Sequence, residues 1–451
     1  MATITLKQAA AWCGGTVEEK YEHIEFFGAN NDTRVLKPGQ LFIVLQGARD
    51  GHDFIPAAME KGAAAVLCSR KVGDYPAIYV EDPRTALGDI AREALRRIGC
   101  KTVGVTGSVG KSTTKEMIAA VLERTYRVSK TPANHNNDIG MPMAILSMEE
   151  NTQVAVLEMG MNHFREIAYL SQIAKPDVGV IINVGTMHIE FLGSREGIRT
   201  AKMEIVEGMA QEGKLLLNGD NDMLSALPEQ PAQQVTYFGT GENSAIRAVD
   251  IRLGETVSYQ AVAEKISIPI TLALEGEHYV SDSLAAVAVG LALGVKPVEI
   301  QIALADFQNM AGRQEIFEEK GYTIIKDCYN AGPESMAAAL GVLGNRKGRK
   351  FAVLGDMLEL GDCAPAEHEK VGILASQKAD FVLAYGPCGE WVRKGAISGG
   401  LNEKAAMAFS DRQACADALA ALAQKGDVLL FKGSHGMYME IVLDMFLKKE
   451  K

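Results

Sequence analysis

Residues 102–113 read Thr-Val-Gly-Val-Thr-Gly-Ser-Val-Gly-Lys-Ser-Thr, and this stretch decides the fold class of the 451-residue chain. Its alternating valines predict a strand, the glycines after them predict a turn, and apolar residues at helical spacing come next. Glycines let backbone N–H groups surround phosphate oxygens, and the start of a helix adds positive potential. Lys111 is placed to reach the β- and γ-phosphates, and the Ser112 hydroxyl to face Mg²⁺. The stretch therefore predicts a nucleotide site.

The specificity of this turn depends on its context. Val105 stands where the full phosphate-loop pattern has its first glycine, so the alternative interpretation is a glycine turn with a surface lysine. The position between a strand and a helix favours the nucleotide site. The candidate nucleotide contacts are the residues of this turn, called the phosphate turn below: Gly107, Ser108, Val109, Gly110, Lys111, Ser112 and Thr113.

Outward from this stretch, strand-like and helix-like segments alternate, which is typical of an α/β protein with a mostly parallel sheet. Short alternating runs over residues 234–274 predict a small antiparallel patch appended to that sheet. In the last third, four buried strands each end in a polar or glycine turn, and ligands bind at such carboxyl ends in open parallel sheets. We expect domain boundaries near residues 100 and 312.

Composition narrows the classes of partner. The 46 basic and 57 acidic side chains give a net charge of −11, which argues against nucleic acid or an anionic membrane as the main partner. Seven scattered cysteines without a CxxC pair are typical of thiols in a reducing compartment. The longest uncharged apolar run, 284–295, is shorter than the ~18–20 residues that cross a bilayer. Without a signal-peptide pattern at the start, we expect a cytoplasmic protein.

Candidate metal ligands follow two predicted strands. A triphosphate needs a divalent cation, and hard cations prefer oxygen ligands. Glu158 follows the predicted strand 154–157, and His188 comes after the predicted strand 178–182. Either residue alone is as consistent with a structural role as with a ligand. Together with Ser112 of the phosphate turn, they favour a metal site.

Two further segments are candidates for the site. Lys202 is predicted to begin a helical stretch, where a solvated lysine paired with Glu204 or Glu207 is the alternative to a functional one. The segment 131–142 is dense in amides and glycine, so it either binds a polar substrate or forms a hydrogen-bonded turn.

A series of short motifs runs along nearly the whole chain in a fixed order. Besides the phosphate turn and the amide-rich segment, the motifs are Glu158-Met-Gly160, His188-Ile-Glu190, Ala201-Lys-Met-Glu-Ile205, Gly276-Glu-His278, Gly312-Arg313, Asp327-Cys-Tyr-Asn-Ala331, Gly355-Asp-Met-Leu-Glu-Leu-Gly361 and Lys432-Gly-Ser434. In this order the chain resembles the Mur ligase family. Within the family, the chain resembles the members that use D-alanyl-D-alanine, on the basis of Asp32-Thr-Arg34, Asp50-Gly-His-Asp-Phe54, Asp327-Cys-Tyr-Asn-Ala331 and the segment 355–361.

The resemblance implies an architecture and a reaction. The expected domains are a UDP-muramoyl-peptide-binding domain over residues 1–100, a central P-loop-type ATPase domain over 101–312 and a Rossmann-like domain over 313–451. The expected activity is that of an ADP-forming ligase that joins D-alanyl-D-alanine to UDP-N-acetylmuramoyl-tripeptide through an acyl phosphate, with ATP and Mg²⁺ as cofactors. Its partners would be these small molecules, without nucleic acid or an integral membrane segment, and we expect a monomer.

The resemblance also implies roles by position. Lys111, Glu158, His188 and Lys202 would be catalytic, with Glu158 and His188 holding Mg²⁺ and Lys202 carbamylated as in the family. A carbamate would replace a cation that repels the metal with an anion. The other implied contacts are Arg313, Asp327 and Asn330 for the nucleotide, Asn136, Asn137 and Lys432 for the substrates, and Thr33, Arg34, Gly47 and His52 for the UDP end, where each of the last four is equally consistent with a structural turn.

Some residues depart from the family pattern. Tyr279 and Asp282 stand where family members carry asparagines, so the adenine contact there is open. His435 stands where an arginine commonly follows Lys-Gly-Ser, which weakens an acceptor-carboxylate contact at that position. Ala133 and Arg165 replace customary glycines, with little effect expected on the chemistry.

Three functions remain in competition. The first is the D-alanyl-D-alanine-adding ligase, and the second is a sister amide ligase that adds another amino acid to a different carboxylate. The third is a P-loop switch or motor protein without ligase activity. It is disfavoured because no arginine-finger or switch pattern accompanies the turn, and because a whole further α/β domain follows.

Overall fold

The structure is a computed structural model that describes residues 3–47, 49–310 and 312–449. Its N-terminal unit contains β1 (Ile4–Thr5), α1 (Leu6–Cys13), β2 (Thr16–Val17), β3 (Glu25–Phe26), β4 (Ala29–Asn30), β5 (Leu41–Ile43), α2 (Ile55–Glu60), β6 (Ala65–Cys68), β7 (Ala77–Tyr79) and α3 (Pro83–Ile98). The main sheet has the order β2-β7-β6-β5-β4 and is parallel except for β2, while β1 and β3 pair separately.

Helix α3 joins this unit to the next one. Its N-terminus is capped by Asp82, which accepts hydrogen bonds from the backbone N–H groups of Arg84 and Thr85, and it ends at Gly99 with φ of 69°. Gly88 lies so close to Tyr169 of the central unit that a Cβ there would be 2.0 Å from the tyrosine oxygen. The apolar face of α3 therefore shares one hydrophobic core with the central unit.

The central unit carries the longest sheet. Its elements are β8 (Lys101–Thr106), α4 (Lys111–Glu123), β9 (Val128–Lys130), α5 (Gly140–Leu146), β10 (Val154–Glu158), α6 (Glu166–Ala174), β11 (Val178–Ile181), α7 (Ile189–Leu192), α8 (Arg195–Met203), β12 (Lys214–Asn218), α9 (Asp222–Ser225), β13 (Gln234–Gly239), β14 (Ile246–Leu253), β15 (Val257–Ala263), β16 (Ile266–Leu272), α10 (His278–Ala292) and α11 (Pro297–Ala305). The nine strands have the order β16-β15-β14-β13-β12-β11-β8-β10-β9.

The antiparallel patch is smaller than the sequence predicts. Strand β13 pairs parallel with both β12 and β14, so antiparallel pairing involves only β14, β15 and β16. Alternation of apolar and polar residues shows which face of a strand is buried, but it does not set strand direction. The long connection over residues 219–233 crosses over from β12 and brings β13 back in parallel.

The apolar run 284–295 lies mostly within α10, where it packs against α4 and the central sheet. Burial on several sides explains its near-continuous apolar character. None of the helices in the described ranges has both the length and the apolar character that a membrane span requires.

The C-terminal unit is a six-stranded sheet with helices packed on both faces. It contains β17 (Glu315–Glu319), β18 (Tyr322–Asp327), α12 (Pro333–Asn345), β19 (Lys350–Gly355), α13 (Ala364–Ser376), β20 (Phe381–Tyr385), α14 (Gly389–Ser398), β21 (Ala406–Phe409), α15 (Arg412–Leu422), β22 (Val428–Lys432) and α16 (Met439–Lys449). The order is β17-β18-β22-β19-β20-β21, parallel except for β17, with a hydrophobic core on each face. The whole chain is thus α/β with mostly parallel sheets, as the sequence predicts.

Candidate active site

A cleft of about 490 Å³ lies where strand ends of the central sheet meet strand ends of the C-terminal sheet. Two predicted nucleotide and substrate groups that are far apart in sequence line this cleft together. They are Ser108, Val109, Gly110, Lys111, Ser112, Thr113, Asn136, Glu158 and His188 from the central unit, and Arg313, Asp327, Asn330 and Lys432 from the C-terminal side.

The phosphate turn between β8 and α4 is held open by one side chain. The Asn183 Oδ1 accepts hydrogen bonds from the backbone N–H groups of Ser108 (2.9 Å) and Val109 (3.0 Å), and its Nδ2 donates to the Val109 carbonyl at 3.0 Å. Within the described residues, the backbone N–H groups of 110–113 have no hydrogen-bond partner. Together with the start of α4, they form a concave set of donors suited to phosphate oxygens.

Position 110 needs a glycine because of its backbone conformation and because a side chain there would clash with Asp282. Its φ of 82° is in the left-handed region, and a Cβ there would be 2.6 Å from the Asp282 Oδ1. Asp282 is buried in α10, its Oδ1 accepts a hydrogen bond from the Thr114 hydroxyl at 3.1 Å, and burial raises the pKa of its carboxyl to about 7. The carboxyl therefore packs against the back of the turn, where a neutral form is favoured.

Lys111 is folded back onto the turn. Its Nζ donates to the carbonyl oxygens of Gly107 (2.8 Å) and Ser108 (3.2 Å). Burial lowers the pKa of Lys111, an effect that the nearby Glu158 opposes. A phosphate at the turn offers this ammonium stronger, charged acceptors than the two carbonyls.

The predicted metal ligands offer donors that suit a hard cation. Glu158 at the end of β10 is 1% exposed; its Oε1 accepts from the Asn136 Nδ2 at 2.8 Å, while its Oε2 has no hydrogen bond. Lys115 lies behind it, with Nζ 3.6 Å from that oxygen. Ser112 contributes a hydroxyl that accepts from the Arg313 guanidinium at 2.9 Å. A buried carboxylate oxygen without a hydrogen bond in a polar cleft fits Mg²⁺.

His188 is oriented by the C-terminal unit. Its φ of 65° is uncommon for a residue with a side chain, and its buried Nδ1 lies 2.7 Å from the Glu359 Oε2. This contact lowers the pKa of Glu359. A carboxylate on one ring nitrogen leaves the other nitrogen for the cleft, as in many metal-binding histidines.

The prediction that Lys202 begins a helix is wrong, because Ser194 caps α8 and the helix starts at Arg195, which places Lys202 near its end. The alternative of a solvated, paired lysine is also wrong. Lys202 is 1% exposed, and the structure gives it no acidic partner in the described ranges. Glu204 instead accepts from the N–H groups of Arg165 and Ala168, and Glu207 pairs with Arg165.

The chemical state of Lys202 follows from this burial. Burial lowers its pKa well below the usual value, and the nearby charge of Lys111 lowers the pKa further. The neutral amine is therefore favoured, which is the form that reacts with CO₂. Lys202 is not among the residues that line the described cleft.

The C-terminal unit supplies two basic side chains to the cleft, and one of them forms an ion pair within that unit. Lys432 is 2% exposed. Its Nζ donates to the Asp327 Oδ2 at 2.6 Å and to the Asn330 carbonyl at 3.0 Å. The Arg313 guanidinium lies 4.1 Å from the centroid of the Tyr329 ring. Arg313 therefore connects the C-terminal side to Ser112 of the phosphate turn.

Two glutamates of the C-terminal unit hold the segment after β11. Glu334 at the start of α12 accepts from the Thr186 N–H (2.8 Å) and hydroxyl (3.1 Å), and Glu359 contacts His188 as above. Because the same segment carries Asn183, the position of the C-terminal unit is linked to the phosphate turn.

Several predicted residues lie outside the cleft. Gly107 contributes only its carbonyl to Lys111, and the Asn137 Oδ1 accepts hydrogen bonds from the N–H groups of Ile139 and Gly140 just before and at the start of α5. The Asn137 side chain therefore has a structural role in this structure.

The four N-terminal candidates lie at the ends of β4 and β5 and do not line the cleft. Arg34 pairs with Asp32 at 2.7 Å, and the Thr33 carbonyl accepts from Lys61. The His52 Nδ1 lies 2.6 Å from the Asp50 Oδ1, while its buried Nε2 has no hydrogen bond. Gly47 forms part of the same loop by donating to the Arg49 carbonyl.

The departures from the family pattern have local explanations. The Tyr279 hydroxyl accepts from the Asn309 Nδ2 at 2.7 Å, and burial raises the pKa of that hydroxyl. Ala133 and Arg165 have φ of 44° and 73°, the backbone region that favours glycine. His435 lies between the rings of Tyr329 and Tyr438.

Sequence reasoning missed three groups that shape the site. They are Asn183, Glu334 and Lys115. Asn183 follows a strand end and was thus detectable, and Glu334 follows Pro at the start of a helix. The position of Lys115, one turn after Lys111, does not indicate burial. The buried Lys115 Nζ donates to the carbonyls of Thr131 (2.7 Å) and Ala133 (3.3 Å). It thereby fixes the loop that carries Asn136 beside Glu158.

Models of Mur ligase domains match most of the chain. The Mur ligase family catalytic domain matches residues 24–95, the Mur ligase middle domain matches 105–290, and the Mur ligase glutamate ligase domain matches 312–435.

Full-length relatives show the same likeness. UDP-N-acetylmuramoyl-tripeptide–D-alanyl-D-alanine ligase of Bacillus subtilis (strain 168) is 39% identical, over 98% of both chains. A crystal structure of MurF from Acinetobacter baumannii has a TM-score of 0.92 at 31% identity, over 99% of both chains. The MurF ligase of Thermotoga maritima, crystallised in complex with ADP, has a TM-score of 0.83 at 32% identity, over 94% of this chain and 98% of that one.

Proposed function

The chain belongs to the Mur ligase family, and we propose that it joins D-alanyl-D-alanine to UDP-N-acetylmuramoyl-tripeptide, with ATP converted to ADP and phosphate. The observation that carries this choice is the 39% identity, over nearly the full length, to a relative with that activity in its name. Likeness confined to the phosphate turn would fit a switch protein equally well, whereas here it extends through all three units.

The reaction needs activation of a carboxylate, because a carboxylate is a poor acyl donor until one oxygen becomes part of a good leaving group. The γ-phosphoryl group passes from ATP to the terminal carboxylate of the tripeptide, which gives ADP and an acyl phosphate. The neutral amine of D-alanyl-D-alanine then attacks the acyl carbon. The C–O bond to phosphate breaks, the amine loses a proton, and amide and phosphate are released.

The phosphate turn supplies most of the charge stabilisation. The unpartnered N–H groups of 110–113 bind phosphate oxygens, and Lys111 exchanges its two carbonyl acceptors for the transferring phosphoryl group. No side-chain nucleophile is needed, since the substrate carboxylate itself attacks the phosphorus.

Ser112, Glu158 and His188 would hold Mg²⁺. The ion, when bound, offsets negative charge on the phosphates. Lys202 carries a carbamate in this proposal, and its burial as a neutral amine supports that chemistry. Asn136 holds the Glu158 Oε1 and thereby leaves the other oxygen for the metal.

The remaining assignments concern the two ends of the site. Arg313, Asp327 and Asn330 approach the nucleotide from the C-terminal side, and Lys432 lines the cleft where donor and acceptor meet. The UDP end binds to the N-terminal unit near the loops that contain Thr33, Arg34, Gly47 and His52. We divide the chain into functional domains at 1–100, 101–312 and 313–451.

The setting of the enzyme follows from its substrates. ATP and a UDP-linked precursor place the reaction in the cytoplasm, as a step of peptidoglycan precursor synthesis. We keep a monomer as the expected working unit.

Phosphate release tests this function directly. We expect release only when ATP, UDP-N-acetylmuramoyl-tripeptide and D-alanyl-D-alanine are all present, and none from the Lys111→Ala protein. Single amino acids offered with shorter UDP-muramoyl acceptors test the sister ligase. Release with ATP alone, at the same rate as with all substrates, would identify a nucleotide switch instead.

A further inference from the structure

The acceptor dipeptide carries a charge that the site described so far does not match. Given the proposed function, on which this inference rests, D-alanyl-D-alanine reacts through its amine and keeps a free carboxylate at the other end. A carboxylate removed from water needs a charged or multiply donating partner. Lys432 is buried and already pairs with Asp327, so its charge is largely matched within the protein.

Arg412 is a guanidinium at the same edge of the C-terminal sheet. It is the first residue of α15, which is separated from the end of β21 by two residues, and its Nε donates to the Met437 carbonyl at 3.2 Å. This bond uses only Nε, so the two terminal nitrogens of the guanidinium, with four N–H donors, do not take part in it. In the described part of the C-terminal unit, Arg346, Arg349 and Arg393 pair with carboxylates, whereas Arg412 has no acidic partner.

Two tyrosine rings lie close to this guanidinium. The Arg412 Cζ lies 5.3 Å from the centroid of the Tyr385 ring and 5.5 Å from that of Tyr438. Both distances are within the range of cation–π contacts. Tyr438 has φ of 51°, an uncommon value for an aromatic residue, and such backbone strain is concentrated at functional sites. The arginine is therefore held in place without its charge being neutralised.

The distance to the cleft matches a dipeptide. Tyr385 ends β20 and Lys432 ends β22, and β19 lies between these parallel strands. At ~4.8 Å per strand, the two ends are roughly 10 Å apart. Two extended residues span about 7 Å, and the arginine side chain covers the remainder.

A row of aromatic rings leads from the cleft to Arg412. Tyr329 lines the cleft, His435 lies 6.5 Å from Tyr329, and Tyr438 lies 5.8 Å from His435, measured between ring centroids. Small apolar side chains pack well on such ring faces. The two methyl groups of the dipeptide suit this row.

We propose that Arg412 binds the C-terminal carboxylate of the acceptor dipeptide, with Tyr385 and Tyr438 holding the guanidinium in position. The site takes a short D-peptide with a free carboxylate, and it distinguishes that acceptor from one whose C-terminus is uncharged. Binding of ATP and of the UDP-linked donor does not involve Arg412.

The test combines a variant with a matched pair of acceptors. Steady-state kinetics are measured with D-alanyl-D-alanine and with its neutral C-terminal amide, for the wild type, Arg412→Ala, Arg412→Lys and the control Arg393→Ala. Arg393 is in the same unit but pairs with Glu390. Circular dichroism and thermal melting check that each protein is folded.

In Arg412→Ala we expect KM for the dipeptide to rise about 10- to 100-fold, with KM for ATP unchanged, since a hydrogen bond to a charged group is lost. The wild type should prefer the dipeptide over its amide by a similar factor, and Arg412→Ala should lose that preference. Arg412→Lys should be intermediate, and Arg393→Ala should match the wild type.

Retention of the full preference by Arg412→Ala would overturn the inference while leaving the proposed function in place. Absence of wild-type turnover with the dipeptide would instead refute the proposed function, and this inference with it.

Discussion

Replacement of Asn183 by alanine removes the side chain that holds the phosphate turn open. The change deletes three hydrogen bonds, two to backbone N–H groups and one to a carbonyl. At roughly 0.5–1.5 kcal/mol each, their full loss amounts to about 3 kcal/mol. The Ser108 N–H keeps a second partner, the Asn183 carbonyl at 3.1 Å, so we take about 2 kcal/mol as the effective cost.

This cost reduces nucleotide affinity, because a loosened turn must be ordered again when phosphates bind. About 2 kcal/mol corresponds to a roughly 30-fold higher Kd for ATP. Isothermal titration calorimetry with ADP and a non-hydrolysable ATP analogue measures the effect. Asn402→Ala is the control, since that asparagine only stabilises an exposed turn by accepting from the Lys404 N–H.

A second variant adds a negative charge at the turn. Asn183→Asp keeps both acceptor contacts but loses the donor to Val109 and adds a negative charge near the phosphates. We expect weaker ATP binding than in the wild type, because the added charge lies near the phosphates and a carboxylate oxygen now faces the Val109 carbonyl. A Kd for Asn183→Ala within threefold of the wild type would refute the argument that this residue shapes the turn.

Three further predictions concern charged groups. Lys111→Ala should lower kcat by at least two orders of magnitude with the fold intact, since one such contact to a transferring group is worth roughly 2.7–4 kcal/mol; more than a tenth of wild-type kcat would exclude the assigned role. Lys202→Ala should be inactive and regain turnover with a small carboxylic acid, while full activity without any acid would exclude a required anion there. Asp282→Asn should stabilise the protein more at pH 7.5 than at pH 4.5, by up to roughly 4 kcal/mol. Folding raises the pKa of the Asp282 carboxyl to about 7, so the wild-type protein loses stability as the pH rises from the carboxyl's pKa in the unfolded chain towards 7, and asparagine removes this loss. An equal gain in Tm at both pH values would contradict the burial argument.

Local patterns were sufficient for the parts of the fold that depend on neighbouring residues. The strand–turn–helix at 102–113 is readable because glycine, lysine and the apolar spacing act within one short segment. Four of the six strands of the C-terminal sheet (β18, β19, β20 and β22) are readable for a similar reason, since each is a buried run that ends in a turn. The placement of Glu158 at a strand end follows directly from such a run.

Features that depend on contacts distant in sequence could not be predicted. Asn137 looks like a substrate ligand in a polar loop, but its side-chain oxygen accepts a hydrogen bond from the N–H of Gly140, the first residue of α5. Lys202 is an ordinary surface lysine by sequence, and only packing of α8 shows its burial. The contact between Glu359 and His188 joins two units, so neither residue alone signals it.

The central claim is that a carboxylate is activated by phosphorylation and then joined to D-alanyl-D-alanine. The most direct test supplies UDP-N-acetylmuramoyl-tripeptide labelled with ¹⁸O in its terminal carboxylate, together with ATP and the dipeptide, and analyses the products by mass spectrometry. We predict a condensed product that retains one labelled oxygen, and free phosphate that has gained the other. Phosphate without label, or ADP formed with no condensed product, would contradict the mechanism.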